Sequence, residues 1–254
     1  MKTFDRLLVK VGTPRAQRLF GGAALVTLGG TAVMALAVVP PDAEQGDVQR
    51  LMYVHVPAAW LAFLSFGVVF AASIGYLRTG QIRWDRMAVA SAEIGVLFCS
   101  LTLFLGSLWG RPVWGTWWTW DPRLTTTVVL LLIYLGYLSV RRVADSPSRR
   151  AHWSAVIGVI GFIDVPIVHM SVVWWRSLHQ EATVVRAGAP TMDPGMLATL
   201  LLGAVAFSIV YGYLMAVRMR VGRLEDSAAG SLMRRPTPRA GLVGARAEGG
   251  ERRG

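Results

Sequence analysis

The sequence predicts an all-α integral membrane protein of six transmembrane helices, both termini cytoplasmic, with a tryptophan-rich segment on the outer face. Three observations carry this prediction. Hydrophobic residues make up 54% of the 254-residue chain and charged residues only 16%, against roughly 25% charge in a soluble domain. The mean hydropathy is +0.47. The apolar residues also come in blocks of the length that a bilayer requires, about 20 residues per helix, rather than alternating with polar ones.

Six blocks follow in order. Leu19–Val39 comes after a basic stretch and contains Ala35-Leu36-Ala37, the small-residue pattern of a signal cleavage site. Its length, and the apolar character of all that follows, favour an uncleaved anchor. Pro57–Leu77 begins at a proline, a residue suited to the first helical turn. Met87–Leu108 carries Glu93 and the single cysteine, Cys99. Leu124–Val140 follows Asp121-Pro122, the N-cap and first-turn pair of a helix start. Trp153–Val168 carries Asp164, and Gly195–Val217 closes the series. Carboxylates such as Glu93 and Asp164 are costly within a bilayer and often functional, unless they lie near a solvated end. Beyond Gly222 the chain is rich in Gly, Arg, Ala and Pro and reads as a disordered tail. The organisation is therefore a membrane domain over residues 1–220 and a cytoplasmic tail over 221–254.

Charge sets the orientation. The N-terminal segment, the Arg78–Arg86 and Arg141–Arg150 connections and the C-terminal tail hold 21 of the 26 basic residues. The opposite side holds only Arg50, Arg111, Arg123, Arg176 and Arg186. Positive residues stay in the cytoplasm. A net charge of +11 thus reflects membrane topology rather than nucleic acid binding. One cysteine excludes an intrachain disulfide and a Cys-x-x-Cys redox or haem-attachment motif. No phosphate-binding loop is present, so the chain has no ATPase motif of its own, and no residue is assigned as catalytic.

The outer side carries the chemistry. Seven of the ten tryptophans fall there: Trp109, Trp114, Trp117, Trp118, Trp120, Trp174 and Trp175. An interfacial aromatic belt explains single tryptophans, but a belt populates both interfaces. In Trp114-Gly115-Thr116-Trp117-Trp118-Thr119-Trp120-Asp121, a helix would set Trp114, Trp117, Trp118 and Asp121 on one face. Such a face is a flat, polarisable platform for a large planar apolar ligand. His55 precedes the second span and His179 lies in the third outer segment. Imidazole is a standard axial ligand to haem iron, although a lone interfacial histidine is more often merely solvated. His169 competes for that role, but a straight helix would place it about 15 Å from His179, too far for both to ligate one iron. Arg111 and Arg123, with Arg50 and Arg176, are cations suited to carboxylates such as haem propionates, or to lipid phosphate.

These residues resemble a known family. Trp114–Asp121 matches the W-G-x-x-W-x-W-D signature of haem-handling proteins of cytochrome c biogenesis. Tyr53-Val54-His55-Val56-Pro57-Ala58-Ala59 and the segment His169–Gln180 are similar to the two histidine segments of the CcmC, or haem exporter protein C, family of system I maturation. The resemblance covers residues 1–220. It implies a bacterial inner-membrane protein that holds haem b transiently at the periplasmic face and presents it to the haem chaperone CcmE. It also implies work with the ABC-transporter pair CcmA and CcmB and the small subunit CcmD. By the same resemblance, His55 and His179 are the axial ligands and Trp114, Trp117, Trp118, Trp120 and Asp121 form the haem platform. Arg111 and Arg123 extend that set on charge alone. Two other readings stand beside it. A cytochrome b-like electron carrier would also use two histidines, but from within the spans. An ABC permease subunit would have no haem site.

Overall fold

The computed structural model describes residues 13–180, 183–184, 188–189 and 191–233. It is all-helical across those residues, and six segments are long and apolar enough to cross a membrane. Helix α1 spans Pro14–Val33 and runs on through a wider turn, Met34–Val38. A short 3-10 turn, Asp47–Leu51, leads into α2, Met52–Thr79. Then come α3, Ile82–Trp114, and α4, Pro122–Val143. The fifth span is two pieces, α5 Pro147–Gly161 and α6 Asp164–Trp174. Helix α7 is Pro194–Met233.

The helix starts share one chemistry. Thr13, Asp121, Ser146 and Asp193 each precede a proline. Each side chain accepts a backbone N–H in the first turn, from Ala16, Arg123, Arg149 and Gly195 respectively. The proline supplies a preset φ and lacks an N–H that would have no helical partner there. Helix α2 departs from the expected start at Pro57. It begins earlier, at Met52, because the Asp47–Leu51 turn has already nucleated it. Helix α3 ends on Gly115 at φ 77°, a left-handed cap that suits glycine.

Packing relies on small residues that let backbones approach, the usual device between helices in lipid. A Cβ on Gly95 would lie 2.5 Å from the Phe66 ring, so α2 and α3 meet closely there. Phe66 stacks on Tyr134 of α4 at 3.8 Å between centroids. Ser91 donates to the Ser65 carbonyl at 2.7 Å. Gly158 and Gly161 bring α5 against Ser73 and Ile133.

Asp85 and Glu93 within the spans are paired, and Asp164 sits at a break. Asp85, at the start of α3, binds Arg141, at the end of α4, through two bonds of 2.5 and 2.8 Å. Glu93 receives Arg218 from α7. Asp164 is buried at the junction of α5 and α6.

The contacts divide the chain into two units, residues 1–219 and 220–254, and everything below concerns the first. Helix α7 continues past Gly222 to Met233, so its last turns use residues assigned above to the tail. Leu224, Ala228, Ala229 and Met233 are good helix formers. The remainder of the tail, Arg186, and Lys2, Arg6 and Lys10 lie outside the described residues.

Candidate functional site

Three connections meet at one end of the bundle. The first, between α1 and α2, sends in Gln45, whose side-chain carbonyl accepts the Trp109 indole N–H at 2.9 Å. The second is the Gly115–Asp121 segment between α3 and α4. The third follows α6 and carries Ser177, Leu178 and His179.

Asp121 joins the second to the third. As the N-cap of α4 it accepts Arg123 N–H on Oδ1 at 2.9 Å. Its other oxygen accepts the Ser177 hydroxyl at 2.8 Å and Leu178 N–H at 2.7 Å. His179 Nδ1 stands 3.2 Å from Oδ1. Burial pushes the Asp121 carboxyl up, but the bonds from Leu178, Ser177 and Arg123, with His179 nearby, bring it below its ordinary value. Asp121 is therefore an anion, and an anion only accepts, so Nδ1 of His179 carries hydrogen. Burial lowers the His179 pKa; Asp121 opposes this and Arg123 adds to it, leaving the ring below its ordinary value. The imidazole is neutral at pH 7, with the Nε2 lone pair free. Trp114 meets its ring edge-on at 4.8 Å.

His55 is seated differently. It lies in the first turns of α2, and a Cβ on Gly106 of α3 would stand 3.1 Å from its Cε1. Glycine at 106 is thus the residue that admits the ring. Trp109 closes against it edge-on at 5.6 Å. Nδ1 is buried without a hydrogen-bond partner; the Thr102 backbone lies beside the ring but closes no bond of normal geometry.

Two adjoining cavities, of about 300 and 340 Å³, share His55, Val56, Gly106, Arg123, His169 and His179. The three histidines and Arg123 stand at the waist. On one side the space runs between Phe63, Leu103, Leu124 and Val168. On the other it runs under Trp109, Val113 and Trp114. Volumes of this order suit a small organic ligand, and the lining is largely apolar with its histidines and Arg123 shared between the two cavities.

A protein-family model described as Heme exporter protein C matches residues 7–233. The chain belongs to the haem exporter protein C family. It is 43% identical over 198 residues to a Heme exporter protein C of Bradyrhizobium diazoefficiens, covering 78% of this chain and 75% of that one. Against the protein of the same name from Haemophilus influenzae it is 37% identical, covering 83% and 85%. A ccmC-like mitochondrial protein of cytochrome c biosynthesis from Marchantia polymorpha is 34% identical, covering 74% and 79%.

Within this haem exporter protein C fold, the residues singled out in the sequence separate into groups. His55, His179, Arg123 and Trp114 line the waist or its upper side, and Asp121 binds His179 directly. Trp117 and Trp120 are 57% and 74% exposed, and Trp118 meets Trp120 edge-on at 5.5 Å. None of these three lines either cavity. The segment is not the helix that would have aligned Trp114, Trp117, Trp118 and Asp121, because Gly115 ends α3 and Asp121 must be extended to cap α4. Arg111 is also apart from the waist: it donates to the Gly115 carbonyl at 2.7 Å and closes the end of α3. Arg50 binds the Ala35 and Val39 carbonyls instead. His169 does line both cavities, and its carbonyl accepts Arg123 at 3.3 Å. Gly106 and Trp109 were not assigned to the site in the sequence, although a glycine three residues before a tryptophan on an apolar helix was a usable signal. Gln45 left no signal at all.

Proposed function

We propose that this chain handles haem for cytochrome c maturation, with the porphyrin at the waist of the two cavities and its iron between His55 and His179. The carrying observation is that residues 124 positions apart in the sequence line the same two cavities. The donor set fits the cargo. His179 presents a neutral Nε2, the form that binds metal. His55 is a second imidazole on the same two cavities, and its Nδ1 makes no competing hydrogen bond. The Arg123 guanidinium supplies a cation for a propionate, and Trp114 with Trp109 offers aromatic surface above. The exposed Trp117 and Trp120 suit contact with a partner. The names of the relatives support the same reading.

The basic residues gathered at the opposite end support a haem site on the periplasmic side of a bacterial inner membrane. Residues 1–220 form the haem-handling unit, and 221–254 a tail on the cytoplasmic side. The chaperone CcmE receives the haem there, and CcmA, CcmB and CcmD complete the assembly. The test is a pyridine haemochrome assay and absorption spectrum on the purified protein, comparing wild type with His55→Ala, His179→Ala and the double variant. Stoichiometric b-type haem in wild type, altered in each single variant and lost in the double, is the expected result. Unchanged haem in all three would overturn the ligand assignment.

A further inference from the structure

The two histidine seats differ in a way that matters for a cargo that must leave. His179 has a carboxylate on Nδ1. A carboxylate accepting from the far nitrogen of a ligating histidine fixes the tautomer and raises the basicity of the near one. The same carboxylate holds the segment bearing His179 through Ser177 and Leu178, so ring and backbone are positioned by one group. His55 has neither aid. Its ring sits between Gly106 and Trp109, with no side-chain partner on Nδ1. Ligation through Nε2 would leave a buried Nδ1–H whose neighbour, the Thr102 backbone, closes no bond of normal geometry, and a poorly paired buried donor costs free energy.

We infer that the two axial ligands are unequal: His179, tuned by Asp121 as a positioning residue, retains the iron, and His55 is the exchangeable ligand released first. This inference rests on the haem-site reading above. It makes one face of the porphyrin the face from which an incoming ligand, such as a side chain of an acceptor protein, replaces a protein donor. No bond other than Fe–N(His55) breaks, and the leaving imidazole returns to its seat as the neutral base, so charge and protons balance without a co-reactant.

The experiment uses full-length protein with haem in lipid nanodiscs. Variants are His55→Gly, His179→Gly, Asp121→Asn and Asp121→Glu. Asparagine keeps one acceptor oxygen, for either the Arg123 or the Leu178 N–H, and removes the charge; Asp121→Glu keeps the charge, so the two variants together separate tuning from folding. Carbon monoxide is added to the ferrous protein, and the iron–histidine stretch of the flash-photolysed complex is read by resonance Raman. That band reports the ligand that stays. Asp121→Asn is expected to lower its frequency, Asp121→Glu to restore part of the shift, and His55→Gly to leave the band in place. Haem affinity should fall about tenfold in Asp121→Asn, at the low end of what losing such a partner costs. His179→Gly should fall further than His55→Gly. A band insensitive to Asp121→Asn but lost in His55→Gly would reverse the assignment and overturn the inference. Equal loss in both histidine variants would also overturn it, while leaving two-histidine ligation intact. A wild type without a six-coordinate spectrum would instead remove the reading on which the inference rests.

Discussion

The two ends of the bundle use charge for opposite purposes. At the end where α3 begins and α4 finishes, Asp85 and Arg141 are both largely buried and bind each other with two hydrogen bonds. Both oxygens of Asp85 are taken up by that one guanidinium. At the other end of the same two helices, Asp121 also collects several donors, but they belong to a loop and a histidine, and that histidine still has a free nitrogen facing a cavity. Arg123 likewise reaches only a carbonyl, at 3.3 Å. The Asp85–Arg141 pair uses its charges to hold two helices together; Asp121, His179 and Arg123 are kept in partial satisfaction around open space. The difference separates a structural polar pair from a site better than charge or burial alone does.

Breaking the closed end should produce the largest effect on stability. Arg141→Ala strands a buried Asp85, and removing one member of a buried pair costs about 3–5 kcal/mol. The melting temperature in detergent should drop sharply, and the haem spectrum of the surviving folded fraction should be that of wild type. A spectrum altered as strongly as the stability would mean that the two ends are coupled and that the comparison fails.

Gly95→Ala sharpens the contrast from the middle. The added methyl would press on the Phe66 ring, and overpacking of this kind costs about 1–3 kcal/mol. It should lower stability without moving the iron ligands. Gly106→Ala is its counterpart at the open end. Its methyl would meet His55 at 3.1 Å, a distance that a ring free of hydrogen bonds can relieve by shifting a few tenths of an ångström. Stability should change by less than about 1 kcal/mol, below the usual overpacking range, while the haem absorption bands shift. A melting temperature depressed as much as in Gly95→Ala, with an unchanged spectrum, would place Gly106 among the packing glycines.

The fold was legible in the sequence because a membrane helix needs a long apolar run whatever its neighbours, and the Asp121-Pro122 start announced itself locally. What was not legible depends on distant partners or on a break. Asp121 and His179 are 58 positions apart, and nothing in either segment says which histidine the carboxylate will meet. The W-G-x-x-W-x-W-D segment looked regular by spacing, yet Gly115 and the capping demand on Asp121 rule out a continuous helix. The split of the fifth span around Phe162 and Ile163 left the apolar pattern intact and so left no trace. His55 and His179 stood out by residue type and position. Their unequal seats could be seen only once Gly106, Trp109 and Asp121 were in place.

The smallest effect concerns pH, and it tests whether the open end is truly held by Asp121. Burial, partly offset by Asp121 and reinforced by Arg123, keeps the His179 pKa in the folded chain below its ordinary 6.5. A histidine with a depressed folded value binds fewer protons folded than unfolded. Its contribution to stability is therefore complete above pH 6.5 and declines as the pH falls from there through the folded value. Haem-free wild type should lose a small increment of melting temperature over that interval, and His179→Gln should lose less. Asp121 is also depressed, but its own loss comes at more acid pH, below the ordinary 3.8, so the two steps are separable. Equal acid sensitivity of wild type and His179→Gln between pH 6.5 and 5 would show that the ring is not buried as a neutral base. The open end would then have to be held by Ser177 and Leu178 alone, and the carboxylate's role would shrink to that of a helix cap.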